Sequence, residues 1–497
     1  MKTNRRNFLK TAAAVSAVAV TGNVVNSCSS PEQKESNLSH IKQTASQEHV
    51  QNFNMSGYAA PMIDTVRVGF IGLGSRGSGA VYRMMNIDGT EVIALCDKRP
   101  AAVKASQQTL ARFGFNEAAS YTGEEDAWKE LCQRDDIDLI YICTPWHLHT
   151  PMSVYAMENG KHVACEVPIA KTLEEAWQLV ETSERTRKHC MQLENCCYDF
   201  FELLTLNMTR QGMFGDLVHG EGAYIHTLTD LNFDKFDNDD PTGSGYVDMW
   251  RLKENYNRNG NLYPTHGLGP VCQAMNINRG DRMDYLTSIS SNDFTMHKRA
   301  LELAAEDEFF SPYTEDKYRG NMNVTLIRTA LGRTVMIQHD VSTPRPYSRI
   351  HLLSGTKGVA RKWPEPARIA IGHIWLNEDE FNEIQEKYTP EIVRRVGAMA
   401  KKVGGHGGMD FIMDWRLIDC LRNGLSIDQD VYDAALWSSI SPLSEWSVAN
   451  RSTSIDVPDF TCGTWKTNKP HQIHLEEGGT TGVRKMERAD ASVQLNV

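Results

Sequence analysis

The segment Gly72-Leu73-Gly74-Ser75-Arg76-Gly77 constrains this chain more than any other. It follows an apolar run, Val66-Arg67-Val68-Gly69-Phe70-Ile71, and opens a helix expected over 76–86. In such a strand–turn–helix unit the first glycine permits a tight turn and the second lets a pyrophosphate approach the backbone. The third lets the helix pack on the strand, and the helix N-terminus offers free N–H groups to phosphates. The next strand, Glu91-Val92-Ile93-Ala94-Leu95-Cys96, ends at Asp97, about 20 residues beyond Gly77, where an acid bonds ribose hydroxyls. A carboxylate there repels a 2′-phosphate and favours NAD over NADP, although Lys98 and Arg99 follow at once. We therefore expect NAD to be bound by Gly72, Gly74, Ser75, Arg76, Gly77 and Asp97, and to take part in the chemistry.

The β, α, β period continues. A helix is expected over 100–113, and strands over 137–143, 161–165 and 189–193, separated by helical stretches. That pattern implies a parallel sheet with crossover helices. Beyond residue 195 the period changes. Strands are expected over 217–225, 322–329, 334–340 and 350–354, with helices over 408–422 and 428–444. The fold class expected is α/β: an N-terminal Rossmann domain with a parallel sheet, then an α+β domain with a largely antiparallel open sheet. The boundaries expected are an export signal over 1–31, a flexible linker over 32–62 with order beginning near Thr65, the NAD domain over 63–195 and the substrate domain over 196–497.

Ligands of open parallel sheets sit outside the carboxyl ends of the strands. Thr144-Pro145-Trp146-His147-Leu148-His149, Glu166-Val167-Pro168 and Glu194-Asn195 follow three successive strands. Trp146, His147, Leu148, His149, Glu166, Val167 and Asn195 therefore join the expected cofactor set.

The N-terminus reads as an address. Asn4-Arg5-Arg6-Asn7-Phe8-Leu9-Lys10, then an Ala/Val-rich stretch to Val25, resembles a twin-arginine export signal. That route carries folded proteins, which suits an enzyme that captures a cytoplasmic cofactor before export. Cys28 stands in a degenerate lipoprotein box and is the candidate lipid anchor, with ordinary signal cleavage as the alternative. The destination is periplasmic or membrane-anchored. The 11 cysteines show no spaced zinc pattern, so no metal is expected and reduced core thiols are. A net charge of −11 argues against a nucleic-acid surface. Homo-oligomerisation stays open.

The dinucleotide segment, Thr144-Pro145 with His149, and Glu166-Val167-Pro168 resemble the glucose–fructose oxidoreductase and inositol dehydrogenase superfamily. That superfamily commonly has Glu-Lys-Pro, with a lysine that assists proton transfer at a sugar hydroxyl; here Val167 replaces it. Tyr263-Pro264-Thr265-His266-Gly267, Gly404-Gly405-His406-Gly407-Gly408-Met409-Asp410 and the twin-arginine start narrow the resemblance to glycoside hydrolase family 109, over nearly the whole chain beyond the signal.

That resemblance implies an NAD-dependent α-N-acetylgalactosaminidase acting on glycoconjugates with terminal α-linked N-acetylgalactosamine. The implied route is oxidation at the sugar's C3, loss of the acidified C2 proton, departure of the C1 oxygen, water addition and re-reduction. Such NAD-dependent glycosidases stand outside the two-carboxylate scheme. By motif position the resemblance implies a catalytic set of His266, Tyr224, Tyr347 and Glu194. It implies substrate contacts from Tyr224, Arg251, Tyr263, Pro264, Thr265, His266 and Tyr347. A tyrosine used as a base would need positive surroundings, which Arg251 could supply. The rival is an NAD-dependent sugar oxidoreductase with net redox turnover, against which Val167 speaks.

Overall fold

The computed structural model describes residues 40–236, 245–471, 473 and 475–484. The export signal and Cys28 lie outside the described residues. The compact unit Ile41–Val497 carries both sheets. No helix among the described residues is long and apolar enough to cross a membrane.

Six parallel strands form the first sheet: β1 (Val66–Ile71), β2 (Thr90–Cys96), β3 (Ala119–Tyr121), β4 (Leu139–Ile142), β5 (His162–Cys165) and β6 (Cys190–Gln192). Their order is β3-β2-β1-β4-β5-β6, the doubly wound dinucleotide-binding order. β4, β5 and β6 are buried throughout, as continuous apolar runs in a sheet covered on both faces should be. All five strands expected here are present. β3 is an addition, and its three residues, none of them buried, carry too short a pattern to read.

The second sheet comprises β7 (Leu217–Ile225), β8 (Met283–Ser290), β9 (Asn323–Thr329), β10 (Thr334–Asp340), β11 (Leu352–Gly355), β12 (Gly358–Arg361), β13 (Arg368–Ile371), β14 (Ile374–Trp375) and β15 (Ile455–Asp456). Its order is β14-β13-β12-β11-β7-β10-β9-β8-β15. The pairings are antiparallel except β7 with β10, which run parallel. β8 escaped the sequence pattern because its inward positions include Ser288, a polar residue bonded across to Thr325 (2.9 Å).

The helix Val431–Ala449 is buried on nearly every side and starts in a capping box, in which the Asp430 carboxylate accepts the Tyr432 and Asp433 N–H groups. It packs against β6 and β8, one strand from each sheet. The linker expected over 32–62 is corrected from residue 41 onward, because this stretch is packed. The Thr44 hydroxyl donates to Glu174 (2.7 Å) and the Met55 N–H to the Tyr432 hydroxyl (3.0 Å). His49 stacks on Trp177, and Met55 and Ala60 are buried. Some of its polar residues, Thr44, Gln51 and Asn54, meet fixed partners, which composition does not reveal.

The helix Thr265–Ala274 meets β7 backbone to backbone at Gly222 and Gly267. A Cβ on Gly222 would stand 2.2 Å from the Gly267 carbonyl oxygen, and one on Gly267 2.2 Å from the Ala223 nitrogen. Backbone on backbone cannot yield as a side chain can. Gly222→Ala is therefore expected to destabilise the fold by at least about 1–3 kcal/mol, read as a lowered urea midpoint. A midpoint matching the parent's would mean that the helix does not sit this close.

Candidate active site

The carboxyl ends of β1, β2, β4, β5 and β6 bring the expected cofactor residues to one edge of the sheet. Gly72 has φ +89, and a Cβ there would stand 2.6 Å from the Cys143 carbonyl oxygen. At Gly77 a Cβ would meet the Gly72 oxygen at 1.9 Å. Gly74 differs: the nearest atom is an Arg99 guanidinium nitrogen at 4.0 Å. Space is thus kept at the start of the helix Ser75–Met85, which has no acid in its first turn. Open space against a helix N-terminus fits a dinucleotide's pyrophosphate. Asp97 lies where β2 ends; it accepts the Leu73 N–H (2.8 Å) and the Arg99 N–H (2.9 Å), with the Arg99 side chain folded back on it (3.2 Å). Lys98 turns away to Asp248.

Arg76 joins the loop to distant parts of the chain. Its guanidinium pairs with Glu166 (2.6 Å) and Asp410 (2.8 Å). Asp410 also takes a hydrogen bond from the Asn195 amide (2.5 Å) and contacts His406 (2.9 Å). Beside it Arg83 pairs with Asp414 (2.7 Å), whose carboxylate accepts the Tyr141 hydroxyl (2.8 Å). Burial would raise the Asp410 carboxyl, but Arg76 and Arg83 outweigh it and hold it well below the usual range. Sequence reasoning missed Asp410 as a site residue. Its signal was the buried-helix start in the Gly404–Asp410 motif, but nothing local tied it to Arg76.

The Trp146–His149 segment divides. Trp146 is buried, with its ring 5.6 Å from Tyr263 and 5.1 Å from Trp250. His147 is exposed and Leu148 half-buried. His149 is buried with its ring nitrogens on the Pro168 (2.7 Å) and Thr144 (2.6 Å) carbonyls, so it ties two strand-end loops together. Val167 packs with Trp146, Tyr224 and Tyr263.

Next to this edge, β7 brings Tyr224 and the helix Thr265–Ala274 brings His266. Pro264 and Thr265 are buried at the helix entry and present His266 on its first turn. The His266 Nδ1 lies 2.8 and 3.0 Å from the two Glu194 carboxylate oxygens. Glu194 is fully buried and also accepts the Cys196 N–H (3.0 Å). Nδ1–H is thereby the donor, which leaves Nε2 as the ring's free acceptor. The Tyr224 and Tyr263 rings lie 5.2 and 4.8 Å from the His266 ring. Arg251 lies over Tyr263 (4.8 Å), Trp146 (5.4 Å) and Tyr224 (5.9 Å) and donates to the Tyr246 hydroxyl (2.9 Å). Tyr347 completes the group, 6.5 Å from Tyr224 and 5.2 Å from His226. Trp250, Tyr246 and His226 were not expected here; each is aromatic, but only the fold turns it inward.

The electrostatics assign proton states. Burial raises the Tyr224 hydroxyl, and Arg251, though it pulls the other way, does not cancel it. Burial likewise pushes Tyr263 well above its ordinary value and Tyr347 up. The tyrosines are therefore neutral donors, and the Arg251 charge expected to make one a base is outweighed. Glu194, Cys196 and His266 hold ligand-type atoms within 4.8 Å of one another. Burial pushes the Cys196 thiol well above its ordinary value.

Residues 198–467 match the family described as glycosyl hydrolase 109, C-terminal domain. Residues 66–193 match an oxidoreductase family with an NAD-binding Rossmann fold, and residues 2–22 a twin-arginine translocation signal sequence. An α-N-acetylgalactosaminidase of Bacteroides fragilis is 49% identical over 427 residues, covering 85% of this chain and 97% of that one. A glycosyl hydrolase family 109 protein of Shewanella pealeana is 46% identical over 480 residues, covering 95% and 99%. Among solved structures, levoglucosan dehydrogenase in complex with NADH superposes with TM-score 0.58 at 17% identity, over 80% of this chain and all (100%) of that one. An oxidoreductase domain protein from Kribbella flavida gives 0.59 at 16%, with coverages of 80% and 100%. At these identities the structural likeness concerns the fold.

Burial would raise the Glu194 carboxyl, but His266 and the hydrogen bonds it receives hold it below its ordinary range. A depressed carboxyl contributes stability above its unfolded value, roughly pH 4.3, and loses it as pH falls through the lower folded value. Glu194→Gln is accordingly expected to cost about 1.5–3 kcal/mol near neutral pH. The gap from the parent should shrink on acidification. Urea midpoints at about pH 7, pH 5 and pH 2 measure both, and a gap that fails to shrink between the last two would contradict the pairing.

Proposed function

Because the chain belongs to glycosyl hydrolase family 109, we propose that it removes terminal α-linked N-acetylgalactosamine from glycoconjugates by an oxidation, elimination, water-addition and re-reduction cycle. The observation that carries this reading is the Glu194–His266 pair beside Tyr224, Tyr263 and Arg251, adjoining the strand ends of an NAD-binding domain. A close carboxylate pair of the retaining kind is not what this geometry offers: Glu194 is spent on His266.

NAD is the cofactor; the Gly72–Gly77 loop and Asp97 would hold it, with Glu166, Val167 and Asn195 along the same sheet edge. When bound, it supplies hydride removal from the sugar's C3 and the later return of that hydride. Everything else falls to the chain. Glu194 holds the His266 tautomer, so Nε2 can take a proton from the sugar and give one back. Tyr224 and Tyr347, kept protonated by burial, donate hydrogen bonds to sugar or leaving-group oxygens. Arg251 and Tyr263 orient the sugar, while Trp146 and Val167 close the cofactor side with apolar surface and exclude water. Valine at 167 leaves no lysine to relay protons at this strand end, which favours hydrolysis over net sugar oxidation.

The domain division near residue 195 belongs to the same reading: a cofactor half ahead of it and a substrate half behind. The chain is exported by the twin-arginine route. We further propose that it works on the periplasmic side, free or anchored through Cys28, without nucleic-acid partners, and that self-association is compatible with this role.

Hydrolysis of an aryl α-N-acetylgalactosaminide should proceed through many turnovers without external NAD, and in heavy water the product should carry deuterium at C2. His266→Ala should lower turnover by about 10²-fold or more while NAD stays bound. A product without C2 label would return the chemistry to direct displacement. A halt after one cofactor equivalent would favour the oxidoreductase.

A further inference from the structure

Seven arginines among the described residues are buried. Arg83, Arg99, Arg279, Arg349 and Arg416 each pair with a carboxylate. Arg251 and Arg319 pair with none of the described carboxylates, and each feels the other's charge. Burial brings the Arg319 guanidinium down to about 10, Arg251 adds to the drop, and Asp340 and Asp293, both beyond ion-pair distance, do not cancel it. Arg319 is still a cation at neutral pH. A desolvated cation without a counter-charge is costly, and such costs are retained chiefly at functional sites.

Arg319 connects two walls of the site. Its backbone N–H donates to the Asn255 carbonyl (2.8 Å) and its Nε–H to the Asn255 side-chain oxygen (3.3 Å). The Asn255 amide in turn donates to the Arg251 carbonyl (2.8 Å), within the helix Trp250–Asn257. On the other side the Arg319 Nη1 donates to the His339 carbonyl (3.4 Å). His339 stands opposite Tyr224 across β10 and β7, with the rings 6.3 Å apart, and its Nδ1 accepts the Leu262 N–H (3.2 Å). Burial, Arg319 and Arg251 hold His339 well below its ordinary value, so it is neutral. The charge on these walls is therefore that of the two guanidiniums.

The proposed cycle, on which this inference rests, forms one anion on the sugar. Once C3 is a ketone, His266 Nε2 takes the C2 proton. The C2–H electron pair becomes the C2=C3 bond, and the carbonyl π pair moves onto O3 as an enolate oxygen. We infer that Arg319 is a positioning residue for this step: it fixes Arg251 and adds a second positive charge beside it, and the pair stabilises the enolate. Fixed charge in a desolvated site acts far more strongly than in water and needs no reorganisation when the anion forms. The neutral sugar and the neutral ketone gain little from it, so the effect falls on proton removal rather than on binding.

The test mixes the holoenzyme with N-acetylgalactosamine in heavy water. Absorbance of bound NADH reports oxidation at C3, and deuterium at C2, read by NMR, reports enolate formation. Arg319→Met is expected to slow C2 exchange about 10-fold or more while C3 oxidation changes by less than about threefold. Its melting temperature should not fall, because a cation without a carboxylate partner leaves together with its desolvation cost. Arg319→Lys, which keeps a charge, should recover part of the exchange. Equal losses of oxidation and exchange, or a lower melting temperature, would reduce Arg319 to a brace for Asn255 and His339. Unchanged exchange in Arg319→Met, or a lysine variant no better than the methionine one, would overturn the role of its charge. A parent that neither forms NADH nor exchanges C2 would remove the elimination cycle and the role of Arg319 with it, whereas a failure confined to the variants leaves that cycle standing and overturns Arg319 alone.

Discussion

Two arginines and two aspartates between the glycine loop and the helix Met409–Asn423, all buried except the half-buried Arg76, hold the site together. Arg76 and Arg83 come from the helix that follows the loop; Asp410 and Asp414 come from a helix more than three hundred residues later. Buried charge is costly unless paired and hydrogen-bonded, and removal of one partner leaves the other uncompensated. Glu166 and Asn195 are drawn into the same cluster, so the ends of β1, β5 and β6 are set by one network. The cofactor edge therefore takes its shape from the last third of the chain.

A second ion cluster draws on residues beyond 198 alone. Arg349 and Lys362 share Asp199 and Glu202, and burial, opposed by those two cations, leaves the Asp199 carboxyl at about 2. Arg349 also touches Cys196 and Met409, neighbours of Asn195 and Asp410. Tyr347 is thus placed from the same region that places Glu194. Between the two clusters, β7 and the Thr265–Ala274 helix meet through Gly222 and Gly267, which sets the distance from Tyr224 to His266.

Burial also decides what each group can do. The tyrosines surround a cation yet stay protonated, because the loss of hydration outweighs Arg251. Glu194 goes the other way, since its imidazole partner bonds it directly. The described cysteines are free thiols, most of them buried. This suits a chain that folds around its cofactor in a reducing compartment before twin-arginine export.

The glycine loop, Asp97 and the alternation of strands and helices were legible because each is local: a turn, a strand end, a period of two or of 3.6. They determined the dinucleotide half, its cofactor and the change of sheet type after residue 195. The resemblance carried by Tyr263–Gly267 and Gly404–Asp410 pointed to the sugar chemistry. What the sequence could not hold was pairing across distance. Nothing near Arg76 announces Asp410, nothing near Glu194 announces His266, and the polar stretch after residue 40 gives no sign of its partners Glu174 and Tyr432. Whether a tyrosine ionises depends on how much water the finished fold removes, and His149 turns from a ligand candidate into a brace only when two strand ends come together around it. Those outcomes belong to tertiary structure, because desolvation and long-range ion pairing exist only once the chain has closed on itself.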